Sequence, residues 1–158
     1  MEDLIEVDEI LTASKYFMEE KPYSYKMVDL LSAKITYDGV SIGTLTGVTE
    51  TSTISIIKML NGAYKNGIYK LLAHIKHTGI NYITDDTIIN ESNKFLKEKP
   101  YSFQMISASA TNIFYDNALY LSMNNVNNNS ANVIINLLNG ANIYGLTRLT
   151  AYSLSLNK

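Results

Sequence analysis

Cysteine and tryptophan are both missing from this chain of 158 residues. Without cysteine there can be no disulfide, no thiolate metal centre and no cysteine nucleophile, while the redox compartment stays open. Only two histidines occur, His74 and His77, and only two prolines, Pro22 and Pro100. No apolar run approaches the ~18–20 residues of a membrane span. The opening MEDLIEVDEI is acidic, whereas a secretory signal needs a basic start followed by an apolar stretch. These absences predict a chain that stays in the cytoplasm in which it is made, or in a virion if its source is viral, with no membrane partner.

Catalytic signatures are missing too. Neither the Walker pattern, the dinucleotide fingerprint nor an HExxH pair is present, and there is no nucleophile elbow. A single His beside Asp38 or Asp116 could in principle do acid–base work, but no spacing demands it. The expectation is a protein that is not an enzyme and holds no cofactor and no metal. The acidic group Glu2, Asp3, Glu6, Asp8 and Glu9 reads as a solvated start running into a helix N-terminus, where negative charge is favourable.

Charge is scarce in one place above all. Between Asn117 and Thr147 there is no Asp, Glu, Lys or Arg. Asparagine fills the gap, with Tyr120, Asn125, Asn128, Asn132 and Asn136 among the polar and aromatic candidates for an interface. Monomers keep charge on their surfaces for solubility, and interface cores are depleted in it. The excess of Asn, Ile, Tyr and Lys also fits an AT-rich genome, such as that of a phage, plasmid or virus. The net charge of −2 argues against a basic, duplex-binding surface.

What the chain does have is itself, twice. Residues 8–80 align with 86–158 at a constant offset, and roughly a third of the positions are identical. Lys21-Pro22-Tyr23-Ser24 recurs as Lys99-Pro100-Tyr101-Ser102, and Leu60-Asn61-Gly62-Ala63 as Leu138-Asn139-Gly140-Ala141. Each copy alone would be a marginal folder, because small chains bury a small share of their surface. The spacing therefore predicts two pseudo-symmetric repeats, 1–78 and 79–158, packed into one compact pseudo-two-fold domain.

Within each copy, Ile10, Ser14 and Phe17 recur at helical spacing behind Asp8, the expected N-cap. Their counterparts are Ile88, Ser92 and Phe95 behind Asp86. Lys-Pro ends each helix, since the residue before proline avoids the α region. Alternation from Tyr23 to Tyr37 predicts one strand, bulged near 29–32. Asp38-Gly39 and Asp116-Asn117 predict hairpin turns, with return strands over 40–48 and 118–126. A second helix follows, capped by Thr51, Ser52 or Thr53 and, in the other copy, by Ser130. It is expected to stop at Gly62 or Gly140, the alternative being a helix continuing to Ile75. A last strand is expected over 68–77 and across Leu149–Leu156, after short opening strands at 4–7 and 80–83. The class is α+β, and the order β-α-β-β-α-β is that of a ferredoxin-like or split βαβ unit.

Two functional readings follow. The first is a non-enzymatic interaction or assembly protein acting through protein–protein contacts, with itself or another protein as partner. The second is nucleic-acid or nucleotide binding, with Tyr23, Tyr25, Tyr101 and Phe103 stacking bases from a sheet surface or inter-repeat cleft. Lys21, Lys99 and Arg148 would then meet phosphate. On the packing reading of the same motif, proline ends the helix and tyrosine covers the core edge.

Overall fold

The computed structural model describes residues 4–156. Strand β1 (Leu4–Glu6) leads into α1 (Val7–Glu19), followed by β2 (Tyr23–Asp29), β3 (Ser32–Tyr37), β4 (Val40–Thr46) and α2 (Glu50–His77). Then come β5 (Tyr82–Thr84), α3 (Asp85–Leu96), β6 (Tyr101–Ser107), β7 (Ala110–Tyr115), β8 (Ala118–Asn124) and α4 (Asn128–Ser155). The fold is α+β, with four helices and three small antiparallel sheets among the described residues. Of the acidic opening group, Glu2 and Asp3 lie outside those residues.

The order departs from the one expected. Each half reads β-α-β-β-β-α, not β-α-β-β-α-β, so the ferredoxin-like order is not what forms. One cause lies in 23–37, which is two strands rather than one bulged strand. A turn at Asp29–Ser32 divides them, where the Asp29 carboxylate accepts the Leu31 N–H at 2.9 Å. The other cause lies in α2 and α4, which run straight through Gly62 and Gly140 where a stop was expected. A mid-helix glycine costs about 1 kcal/mol against alanine, but the residues beyond it keep one face buried. Ala63, Tyr64, Ile68, Leu71, Leu72 and Ile75 continue the stripe in α2, and tertiary burial of that kind outweighs local propensity. In α4 the alternation read as a strand conceals the pair Leu149 and Ser153, four residues apart and both fully buried.

The caps also shift from those expected. Glu6 rather than Asp8 is the N-cap of α1, and Thr84 rather than Asp86 caps α3 by accepting the Thr87 N–H. At the start of α2, Thr49 and Ser52 exchange side-chain to backbone hydrogen bonds at 3.2 and 3.0 Å, a reciprocal box. Asn127 caps α4, its Oδ1 accepting the Ser130 N–H at 2.8 Å. The hairpin turns form as expected, with Asp38, Gly39, Asp116 and Asn117 all at positive φ.

The chain divides into two compact units, each drawing on both halves of the sequence. The first holds the chain up to Glu20, Ala63–Glu98 and the chain from Ala141. In it β1 pairs with β5, Ile5 opposite Ile83. The later parts of α2 and α4 meet at Gly67 and Gly145. A Cβ on Gly67 would overlap the carbonyl oxygen of Asn142, and one on Gly145 that of Tyr64. Asn142 is buried here and donates from Nδ2 to the Ala63 carbonyl at 3.3 Å.

The second unit holds Lys21–Gly62 and Lys99–Gly140. It contains two three-stranded meanders, β2-β3-β4 and β6-β7-β8. Tyr23, Ala33, Ile35 and Leu45 are buried from the first; Tyr101, Ile113 and Met123 from the second. β4 and β8 each carry a β-bulge, so Ile42 and Tyr120 have no opposite residue.

Candidate interaction surface

The two duplicated motifs prove to be one device. Asn61 Oδ1 accepts the Tyr23 N–H at 3.0 Å, and its Nδ2 donates to the Tyr23 carbonyl at 3.3 Å. Asn139 repeats this on Tyr101 at 3.0 and 3.2 Å. Each asparagine thus supplies a donor and an acceptor to a backbone that has reached the outer side of its meander, where no further strand pairs with it. Satisfying such groups matters because an orphaned buried N–H or C=O costs about 1–3 kcal/mol. Pro22 and Pro100 close the same corner, their carbonyls accepting the N–H groups of Asp38 and Asp116 at 2.9 Å.

This geometry places the stacking candidates. Tyr23 and Tyr101 are 3% exposed and meet Tyr37 and Tyr115 edge-to-face, at 5.1 and 5.0 Å between ring centres. Neither offers an open ring face to a base. Tyr25 and Phe103 are half-buried on the same inward side, and the Tyr25 hydroxyl donates to Glu50 at 3.1 Å. Partial desolvation, and then that hydrogen bond, raise the phenol's pKa. Lys21 and Lys99 are exposed.

Arg148, the third cation of the phosphate reading, is engaged in the first unit. It forms a two-point pair with Glu20, Nε to Oε1 at 3.2 Å and Nη2 to Oε2 at 2.9 Å, and its guanidinium lies 4.4 Å from the Phe17 ring centre. Tyr64 donates to the same carboxylate at 2.6 Å. Burial pushes the Glu20 carboxyl up, but the hydrogen bonds from Arg148 and Tyr64 outweigh it and hold its pKa below the ordinary value. The same bond to Glu20 raises Arg148. The positions 78 residues away hold Lys70 and Glu98, also paired, with the ammonium 6.0 Å from the Phe95 ring centre.

His74 and His77 lie on α2, not on a strand. His77 is exposed, but His74 is a half-buried partner of Glu91 at 3.4 Å and of the Phe95 ring at 6.4 Å. Asp38 and Asp116 occupy their hairpin turns. Among the described residues no group of three His, Cys, Asp or Glu side chains is placed to hold a metal ion.

The interface candidates all belong to the second unit. Asn128, Asn132 and Asn136 are exposed and fall four residues apart, one stripe along the first half of α4. The same stripe on α2 is Glu50, Ile54 and Lys58, so charge is present at two of three positions there and at none here. Asn125 is exposed and sits at φ 60°, the counterpart of Gly47 at φ 70°. Asparagine is the non-glycine residue most tolerant of that backbone, so its presence has a conformational cause as well. Tyr120, the bulged residue of an outer strand, is 47% exposed, and its neighbour Leu119 is 59% exposed. The Tyr120 ring lies 6.4 Å from the Tyr101 ring between centres, and its hydroxyl is close to Gly62.

Sequence reasoning missed Gly67 and Gly145, although they stand 78 residues apart, and the Glu20–Arg148 pair, although Glu98 and Lys70 stand 78 residues from its members. Neither pair stands in a contiguous motif, so the signal lay only in the position-by-position alignment. Comparison with family models, with curated proteins and with solved structures finds no match for this chain.

Proposed function

We propose that this chain is a non-enzymatic assembly protein that associates with copies of itself through the charge-free surface of β8 and the first half of α4. One observation carries this reading. The exposed side chains there, among them Leu119, Tyr120, Asn128, Asn132, Val133 and Asn136, carry no charge. An exposed surface usually carries charge for solubility, and charge is what an interface core sheds. The bulge in β8 also discourages simple strand addition at that edge, which favours docking through side chains.

Light scattering on a sizing column tests it. The expected result is a mass that is a multiple of 17.7 kDa, falling to a single chain in the double variant Tyr120→Lys, Asn132→Glu. Both positions are exposed, so the variant should keep the circular dichroism and melting curve of the parent. A parent that elutes as one chain at all concentrations overturns the proposal.

We further propose that the two halves of the chain are copies related by a pseudo-two-fold axis. The support is the reciprocity of their contacts. Gly67 lies on Asn142 while Gly145 lies on Tyr64, and Glu20 pairs with Arg148 while Glu98 pairs with Lys70.

A further inference from the structure

The first meander ends in an apolar tip. Val28, Leu30 and Leu31 stand at and beside the β2–β3 turn, 61%, 89% and 55% exposed. What closes the turn is the Asp29 carboxylate on the Leu31 N–H, not an apolar contact. Just behind the tip, on the outward face, Lys26 and Lys34 are exposed and directly opposite each other. Like charges so placed are unfavourable. Ser24, Thr36 and Thr44, their neighbours in register, bring no counter-charge. Among the described residues neither lysine is in an ion pair.

The β6–β7 hairpin forms without either feature. At the positions 78 residues on, Leu30 and Leu31 correspond to Ala108 and Ser109, and Lys26 and Lys34 to Gln104 and Asn112. Only Ile106, at the place of Val28, is apolar and exposed there. The strand register is the same in both hairpins. Exposed leucines and facing ammoniums thus occur together in one hairpin and are absent together from the other, and the fold of a meander requires neither.

So exposed a tip protrudes and cannot enclose a partner segment; it can only enter something. A lipid surface takes both features at once. Apolar side chains enter the boundary between headgroups and acyl chains, while ammoniums on flexible alkyl stems reach the phosphates. The dimensions fit. Lys26 and Lys34 lie two residues from Val28 and Ser32, about 7 Å along the strands, against a depth of roughly 5–10 Å for groups that rest in this boundary.

We propose that the β2–β3 hairpin docks the protein on an anionic lipid surface, with Val28, Leu30 and Leu31 entering it and Lys26 and Lys34 on the lipid phosphates. This departs from the expectation of no membrane partner. Among the described residues no helix is long and apolar enough to cross a membrane, which bears on spanning a bilayer and not on resting against one face. The hairpin is separate from the surface of β8 and α4 and does not depend on it.

The test is flotation of the full chain with vesicles of phosphatidylcholine alone, or of equal parts phosphatidylcholine and phosphatidylserine. Association is expected with the mixed vesicles and should be about twenty-five-fold weaker on phosphatidylcholine, each lysine near an anionic surface contributing about fivefold. The double variant Lys26→Gln, Lys34→Asn should lose the same factor, and Leu30→Ala, Leu31→Ser roughly tenfold or more. Both variants install residues that the other hairpin already carries, and a melting curve checks that the fold is kept. Asp29→Asn keeps an acceptor for the Leu31 N–H, removes the negative charge of the tip and should tighten association about fivefold. Lys15→Gln, Lys65→Gln removes as much charge from exposed positions of the first unit and should leave association unchanged. No association with the mixed vesicles, equal association with phosphatidylcholine, unchanged association in the hairpin variants, or an equal loss in Lys15→Gln, Lys65→Gln overturns the proposal. Binding of a labelled Glu-Leu-Glu-Leu-Glu peptide without vesicle association overturns it as well, assigning the hairpin to an acidic protein partner. Vesicle association by a chain that is always monomeric upholds the docking and sinks the assembly surface alone.

Discussion

The two units hold themselves together by opposite means. In the first, α2 and α4 approach through two glycines, and what matters at Gly67 and Gly145 is that there is no side chain at all. In the second, each meander is latched by an asparagine whose amide makes two hydrogen bonds to one tyrosine backbone. The first is a steric constraint, intolerant of a single added methyl. The second is a satisfaction constraint, sensitive to a lost polar partner but not to modest changes in volume. The difference teaches where this chain can vary. Its helix crossing must keep glycine, its sheets must keep asparagine, and the outward faces of the meanders are free to differ, as Lys26 opposite Lys34 and Gln104 opposite Asn112 do.

The comparison breaks most visibly at the glycines. Gly67→Ala forces a methyl against the Asn142 carbonyl, and no flexible side-chain end is there to yield. Overpacking of this kind costs about 1–3 kcal/mol even where side chains can move, so a loss of roughly 3 kcal/mol or more is expected in urea unfolding. Gly145→Ala should match it. A loss below about 1 kcal/mol at either site would mean that the helices separate easily.

The asparagine latches come next. Asn61→Ala and Asn139→Ala should each cost about 1–3 kcal/mol, because the Tyr23 or Tyr101 backbone is left with an unmet donor and acceptor. Asn61→Asp sharpens the point: it keeps the acceptor, loses the donor, and should fall between the parent and alanine. If alanine is neutral at both Asn61 and Asn139, the asparagine is not a latch.

Smaller again is the cation pair on the outer face of the first meander. Like charges directly opposite on a sheet are unfavourable. Replacing Lys26 with Gln and Lys34 with Asn, the pair that stands at Gln104 and Asn112 in the other meander, should stabilise by about 0.2–1 kcal/mol, measured by urea unfolding at low salt. The gain should shrink when salt is added.

The smallest effect belongs to Glu20. Its carboxyl is held below its ordinary pKa, so it contributes stability that is fully present above the unfolded-state value and is lost as the pH falls through the lowered one. Both partners are more than a third exposed, so Glu20→Gln should cost no more than about 1 kcal/mol at neutral pH. It should flatten the acid limb of the stability curve, and an unchanged limb would assign that limb to other carboxylates.

Local structure was legible where the chain marks its own punctuation. Proline ended both short helices and Asp-Gly made its turn, because those residues act through backbone geometry that needs no tertiary partner. The long helices were misread for the complementary reason. Gly62 looks like a stop, and Leu149–Leu156 alternates like a strand. What overrides both is burial of one helical face, which belongs to the packed molecule and not to the local sequence. The interface candidates were legible as a lack of charge, and the structure adds that three of them form a stripe. The stacking reading of Tyr23 and Tyr101 could not be weighed from sequence. An aromatic at a strand start can serve packing or recognition, and it is burial of the Tyr23 and Tyr101 rings against Tyr37 and Tyr115 that shows which way they point.

The β1–β5 ladder has a consequence for the continuity of the chain. Leu4–Glu6 belongs to the first half and Tyr82–Thr84 to the second, and α1 takes its aromatic neighbour Tyr152 from the far end of the sequence. Each half takes the strand partner of its opening strand, and some partners of its opening helix, from the other. The exposed segment Thr78–Asn81 is thus a tether between two interlaced pieces: a cut there would leave fragments that complement each other, and each alone would seek a second copy of itself to replace what it lost.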